Sequence, residues 1–225
     1  MMDRGDPCET TAIQVGARSD APGHVGVLVR VGHDFVNQFS HRMPAYLNTP
    51  KMRSQPAILA YSEAVRHKRD QLVLDMAQIV DPRLKTLNVS TGPLGVSLYG
   101  DVGLKELIPI SMMGGGLESA IHYGALAVTS EPGGVVMIDE FENGLYYSKL
   151  ATLWSALIHA AVERDLQLVV TTHSIECIQA LKDVAFPEML LVHRIQRSAD
   201  GHSVVDTCDS NIRDAADEMG VEFRE

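Results

Sequence analysis

The stretch GVVMIDEFENGLYYS, residues 134–148, sets two adjacent carboxylates, Asp139 and Glu140, directly after the apolar run VVMI. A carboxylate at the end of a buried strand can hold a hard cation such as Mg2+, directly or through water, because such cations take oxygen ligands. A second carboxylate beside it can accept a proton from a water that attacks a phosphate. The bland alternative is a pair of exposed carboxylates that merely ends a strand. Four buried-type residues before the pair and a Glu-Asn-Gly turn after it favour the chemical reading.

Two further segments offer groups that suit the same chemistry. TTHS, residues 171–174, ends the next apolar run, LQLVV. His173 there can hydrogen-bond a γ-phosphate and register its presence; alone, a histidine is more often structural. Ser174 has the residue type of a helix N-cap, with Cys177 or Ile178 starting the buried face. SMMGGGLESA, residues 111–120, gathers Gly114, Gly115 and Gly116 ahead of a helix. Consecutive glycines at a helix start put several backbone N–H groups at the positive end of the helix dipole, an anion site. A flexible loop is an equal reading of the glycines alone. Cys177 lies four residues after His173, so the two form either a metal pair or, more simply, a structural histidine and a half-buried thiol on a helix. No second pair of ligands accompanies them, which favours the thiol. A phosphate loop of the form G-x-x-x-x-G-K-S/T is missing, for the chain holds no Gly-Lys dipeptide.

These groups need elements to position them. HVGVLVRV (24–31) alternates as a strand does. Residues 41–56 carry three prolines and read as an irregular connection. Residues 58–80 read as one long helix, with Ile58, Tyr61, Val65, Leu72, Met76 and Ile79 close to a 3.6-residue period and Pro82 just beyond its end. LKTLNVS and LGVSLYG are short strands around a Thr91-Gly92-Pro93 turn. Alternation follows: helix 117–129, strand 135–138, helix 147–164, strand 166–171, helix 174–183, strand 189–195, then the strand GHSVVD and a last short helix in NIRDAADEMG. The near-continuous apolar runs VVMI and LQLVVT fit parallel strands buried on both faces. Strand–helix alternation predicts an α/β layer architecture with right-handed crossovers. In such sheets ligands bind at the carboxyl ends of the strands, where Asp139, Glu140 and His173 stand.

Composition narrows the class. The chain has 225 residues, room for one well-cored domain, with 45% hydrophobic and 21% charged residues. No apolar run reaches the roughly 18 residues of a membrane span, and the first residues lack the apolar core of a signal peptide, so a cytoplasmic protein without membrane contact is expected. Cys8, Cys177 and Cys208 are too widely spaced for a disulfide framework. The formal net charge of −10 gives no sign of nucleic-acid binding, which needs Lys and Arg at phosphates. The one basic cluster, Arg66-His67-Lys68-Arg69, reads as a solvated helix face, with nucleic-acid contact the lesser alternative.

In combination the motifs IPISMMGGGLESAI, VVMIDEFENGLYYS and LVVTTHSIECIQAL resemble the ABC-type ATPase heads. Within these the chain is most similar to the AAA-family ATPases related to the OLD (overcoming lysogenisation defect) proteins, with weaker similarity from residue 43 to the end. The resemblance implies ATP and Mg2+ as cofactors. It gives Asp139 the role of Walker B aspartate, Glu140 that of catalytic glutamate and His173 that of switch histidine. Gly144 and Leu145 would lie in the D-loop, which in that family communicates across a nucleotide-bridged dimer. Ser111, Gly114, Gly115 and Gly116 would belong to the signature loop, which binds the γ-phosphate held by the opposite subunit. Met112, Met113 and Tyr146 depart from the residues usual at their positions. Relatives of this type act in DNA transactions and in phage defence.

The expected fold is therefore α/β: an ABC-ATPase-like P-loop NTPase sheet flanked by helices, lacking the N-terminal strand–P-loop–helix. Residues 1–23 are expected to form a loose N-terminus. Residues 24–225 would be the C-terminal portion of the ATPase domain, with a helical/β insertion at about 41–110, a core at about 111–196 and a terminal strand–helix at about 203–225. The leading functional expectation is ATP binding and hydrolysis by a truncated or split ATPase, as a homodimer or with an ATPase partner subunit. Uncovered apolar sheet surface would favour such assembly. The alternative is a non-catalytic interaction subunit docked on a complete ATPase. A metal-dependent hydrolase built on Asp139, Glu140 and His173 ranks third, for want of a supporting histidine shell.

Overall fold

In the computed structural model the described residues are 26–31, 45–48, 56–92, 95–184, 190–197 and 202–208. The expected loose N-terminus and last helix lie outside them. The elements run β1 (Gly26–Val31), β2 (Ala45–Asn48), α1 (Pro56–Arg66), α2 (Asp70–Val80), β3 (Thr86–Gly92), β4 (Gly95–Asp101), β5 (Ile108–Pro109), α3 (Gly115–Thr129), β6 (Val135–Ile138), α4 (Tyr147–Glu163), β7 (Gln167–Thr172), α5 (Ile175–Gln179), β8 (Leu190–Arg197) and β9 (Ser203–Cys208). The result is a mixed α/β fold of two sheets flanked by helices. No helix among the described residues is long and apolar enough to cross a membrane.

The larger sheet has the order β2-β6-β7-β1-β8-β9, and the smaller the order β3-β4-β5. Strands β2, β6 and β7 are parallel, with Ile138 opposite Val170 at the carboxyl end of β6. Strand β1 runs antiparallel to both of its neighbours, β7 and β8. The carboxyl ends of β6 and β7 therefore share one edge of the sheet, and the residues after each can meet there.

Two expectations fail for identifiable reasons. The proline-rich connection contains a strand, β2, whose four residues Ala45–Asn48 include no proline, so each can offer its N–H to a ladder. The long helix is two. Lys68 takes a left-handed conformation (φ 56°), its N–H donates to the Val65 carbonyl, and the Arg69 N–H donates to the Ala64 carbonyl. That pair of bonds is a Schellman cap. A glycine would have announced it; lysine hides it. With α1 ended at Arg66, Val65 is left exposed rather than in the apolar stripe.

The basic cluster sits at this break. Arg66 and His67 both contact Glu63, at 2.7 and 3.0 Å. Arg69 donates to the Val128 carbonyl at 3.1 Å and Arg164 to the Ser130 carbonyl at 2.7 Å, so two guanidinium groups satisfy the carbonyls ending α3. Helix α3 is buried almost all round, as a central helix must be. One core lies between it, α4, α5 and the large sheet, the other between it, α1, α2 and the small sheet.

Candidate functional site

The site begins where β6 ends. Asp139 and Glu140 are both half-buried. Glu140 has φ 51°, a left-handed backbone that costs a non-glycine residue roughly 1–2 kcal/mol. The next residue shows what holds it there. Phe141 is fully buried, stacked on Trp154 with ring centroids 4.0 Å apart and on Tyr123 at 5.1 Å. Burying such a ring contributes about 1.5–3 kcal/mol, enough to outweigh the strain. The Phe141 N–H donates to the Thr171 carbonyl at 3.1 Å and its carbonyl accepts from the Tyr123 hydroxyl at 3.0 Å. The chain turns sharply after Asp139, and Phe141 is the anchor of the turn.

The carboxylates are oriented by neighbours on both sides. The Thr171 hydroxyl donates to Asp139 Oδ1 at 2.7 Å and accepts from the Glu140 N–H at 3.1 Å. Asn143 Nδ2 donates to Glu140 Oε2 at 2.9 Å. Glu142 reaches the segment after β7. Its Oε2 accepts from the Thr172 hydroxyl at 2.5 Å and its Oε1 from the His173 N–H at 2.9 Å. His173 itself is exposed. Ser174 is the N-cap expected of it, its Oγ accepting from the Cys177 N–H at 3.2 Å. Its hydroxyl also donates to Glu176 at 2.7 Å and holds that carboxyl below the usual range.

The glycine segment packs on the same turn. Helix α3 starts at Gly115, two residues ahead of its expected start. Gly114 has φ 100°, and a side chain on Gly116 would collide with the carbonyl oxygen of Gly144, so those glycines are required by conformation and by contact respectively. The Ser119 hydroxyl bridges the Gly115 carbonyl at 3.0 Å and the Asn143 carbonyl at 3.2 Å. Ser111 is exposed in the short 3-10 turn Ile110–Met112 that precedes the glycines. The fold thus gathers the glycine helix, the Asp139–Glu140 turn and the His173 segment at one edge.

Cys177 is poorly suited to ligate a metal with the exposed His173. It is fully buried rather than half-buried, its carbonyl accepts from Trp154 Nε1 at 3.2 Å, and burial pushes its thiol up to about 12. Burial that disfavours the thiolate argues against the His173–Cys177 metal pair. Among the described residues no group of three His, Cys, Asp or Glu side chains is placed to hold a metal, so Asp139, Glu140 and His173 do not form a three-ligand centre. A single carboxylate fixed by one oxygen, as Asp139 is, does suit Mg2+, which commonly takes one or two protein carboxylates and completes its shell with water and phosphate oxygens.

Sequence reasoning passed over Thr171, Glu142, Asn143, Ser119 and Tyr123. Thr171, Glu142 and Asn143 lie inside the motifs that it singled out. Gly116, Ser119 and Tyr123 recur at helical spacing on the face of α3 that meets the turn, a signal available but not decisive.

Residues 32–178, about two thirds of the chain, match the profile of a family described as "AAA domain, putative AbiEii toxin, Type IV TA system". An ATP/GTP phosphatase of Helicobacter pylori is 34% identical over 84 residues, 36% of this chain and 22% of that protein. An uncharacterized protein of Methanocaldococcus jannaschii is 28% identical over 114 residues, 50% of this chain and 99% of that protein. The chain thus spans about a fifth of the length of the phosphatase. Among solved structures, an Smc head bound to the C-terminal winged-helix domain of ScpA aligns over 71% of this chain and 51% of its own, with TM-score 0.46 and 12% identity. The Smc head domain with coiled coil and joint from Pyrococcus yayanosii aligns over 75% and 34%, with TM-score 0.47 and 13% identity.

Proposed function

The chain belongs to this AAA-domain family, and from that premise we propose that it carries the hydrolytic half of an ATPase site. In this reading it is a truncated or split ATPase of the ABC-like OLD type. A strand–P-loop–helix supplied by another segment or subunit completes the phosphate grip. The observation that carries the reading is the pair Asp139 and Glu140, held by Thr171 at the shared edge of two parallel strands with the glycine helix packed on the same turn. The likeness to an ATP/GTP phosphatase supports nucleoside-triphosphate hydrolysis as the chemistry.

Each residue then has a task. Asp139 would hold the ion, its carboxylate fixed by Thr171. Mg2+, when bound there, would supply charge neutralisation for the phosphoryl transfer. Glu140 accepts a proton from the water whose oxygen bonds to the γ-phosphorus, as the bond from that phosphorus to the bridging oxygen breaks and ADP leaves. Asn143 keeps the Glu140 carboxylate aimed while its backbone stays left-handed. His173 hydrogen-bonds the γ-phosphate. Ser111 and Gly114–Gly116 present N–H and hydroxyl donors to the γ-phosphate held across a dimer.

The test is to translate the DNA upstream of Met1 and the neighbouring genes. A GKS or GKT loop is expected in frame or next door, and its product together with this chain is expected to hydrolyse ATP with Mg2+. Glu140→Gln should lower that rate by about 100-fold or more. The chain alone should bind ATP weakly or not at all. Absence of such a loop from both places defeats the split-ATPase reading.

A second reading has its own support. The chain holds no Gly-Lys dipeptide, and the apolar side chains Met112, Tyr146 and Tyr147 are exposed on either side of the packed glycine and Asn143-Gly144 segments. A non-catalytic subunit that docks on a complete ATPase would use such a surface. A stable complex whose hydrolysis is unchanged by Glu140→Gln would establish that reading instead.

A further inference from the structure

Building on the ATPase reading, we infer that Glu142 is a positioning residue that locks the His173 segment to the turn carrying Glu140, so that base and phosphate sensor move as one body. The two segments follow different strands and are more than thirty residues apart in sequence. Glu142 joins them with both of its oxygens, one on the Thr172 hydroxyl and one on the His173 N–H. The neighbouring side chain on the same turn, Asn143, holds the Glu140 carboxylate. One short turn therefore carries the grip on both groups.

The turn is itself immobilised. Its backbone accepts from Tyr123 at Phe141 and from Ser119 at Asn143, both on the central helix, and Phe141 is clamped between two rings. Ser119 thus ties the glycine helix to the Asn143 carbonyl, on the turn that also carries Glu140 and Glu142.

The chemistry of Glu142 suits a lock better than a surface role. It is half-buried, and none of the ion pairs among the described residues includes it. Its charge leans on the Thr172 and His173 donors. Moving the His173 segment away would strip both donors from a partly desolvated carboxylate, which is costly. Both partners are donors, so a carboxylate with two acceptor oxygens fits. A glutamine offers one acceptor and turns an N–H group toward the other donor. The Thr172 hydroxyl also accepts from the Ser174 N–H at 3.1 Å, which extends the lock to the N-cap of α5.

The decisive measurement is amide hydrogen exchange by NMR on the 15N-labelled full chain. In Glu142→Ala the His173 amide should exchange about tenfold faster or more, the scale of losing a hydrogen bond to a charged group. Glu142→Gln, which keeps one acceptor, should fall between Ala and the wild type. Amides in the middle of α4, such as Leu157 and Ile158, should not change. An unchanged His173 amide overturns the inference, and so does uniform acceleration at every amide, which would make Glu142 merely structural. A second arm measures ATP hydrolysis by the assembly with its P-loop. Glu142→Ala should lower kcat about tenfold with KM within about twofold, because the lock acts on alignment rather than on nucleotide affinity. If Glu140→Gln abolishes turnover while Glu142→Ala leaves kcat intact, the inference fails and the ATPase reading stands. If Glu140→Gln has no effect, the ATPase reading fails and the exchange arm alone decides whether the lock exists.

Discussion

Gly116 and Gly144 meet backbone to backbone. A β-carbon on Gly144 would lie 2.9 Å from the Gly116 nitrogen, closer than such atoms approach in proteins. The first turn of the glycine helix therefore rests directly on the turn that follows Glu140. A β-carbon on Gly115, one residue earlier, would meet nothing within 4 Å.

Gly116→Ala should destabilise the protein by about 1–3 kcal/mol, the cost of forcing an extra carbon into a packed contact. Gly115→Ala should be neutral or slightly stabilising, since alanine is the better helix former. Urea unfolding of both variants checks this. Equal stabilities would mean that the two loops do not press on each other.

Glu140 offers a test of strain. Alanine and glycine both remove its bond to Asn143, so the comparison isolates the backbone. At φ 51°, glycine should be the more stable by about 1 kcal/mol, the reverse of its rank in a helix. Thermal or urea unfolding decides. Alanine equal to or better than glycine would show that the left-handed turn is absent in solution.

Cys177 should resist alkylation. Burial raises its thiol from 9.0 to about 12, so at pH 8.5 the native protein should leave it unlabelled by iodoacetamide while denatured protein labels it. The sign for stability follows. A thiol that ionises more readily unfolded than folded favours unfolding as pH rises, so its contribution weakens from about pH 9 upward. Peptide mass spectrometry separates Cys177 from Cys8 and Cys208. Rapid native labelling of Cys177 would contradict its place beneath Trp154.

Asp81 should contribute an acid-labile increment. Arg83 donates to its carboxylate from Nε at 2.9 Å and Nη2 at 2.8 Å, and this hydrogen bonding holds the carboxyl below its usual value. A depressed folded value means that the contribution is complete above the ordinary carboxylate pKa of about 4 and is lost as pH falls through the folded one. The stability gap between wild type and Asp81→Asn should therefore be open at pH 7 and close in acid. A gap that does not change with pH would show that the Arg83 bonds are not formed.

Much of the architecture was legible because it rests on short-range rules. The run VVMI occupies the strand Val135–Ile138, and helix α4 falls within a residue of its expected span. Ser174 caps α5 through an N–H only three residues away. The break at Lys68 escaped notice because left-handed caps are read from glycine, and here a lysine adopts one. Strand β2 escaped because its prolines sit at its borders rather than within it.

The sequence by itself determined that two carboxylates end a buried strand, that a histidine ends the next, and that glycines open a helix. Period, composition and capping fix such statements within a few residues of chain. Only the tertiary structure decided that Thr171 orients Asp139, that Asn143 holds Glu140, that Glu142 reaches His173 and that Gly116 lies on Gly144. Apart from the local Asn143 bond, these partners are far apart in sequence. Whether they meet depends on strand register, Ile138 opposite Val170, and on how α3 lies across the turn. The Asn143 bond is short in sequence but needs the left-handed Glu140, which the burial of Phe141 sustains. No periodic pattern encodes register or burial depth, so the residues that aim the site became visible only in the folded chain.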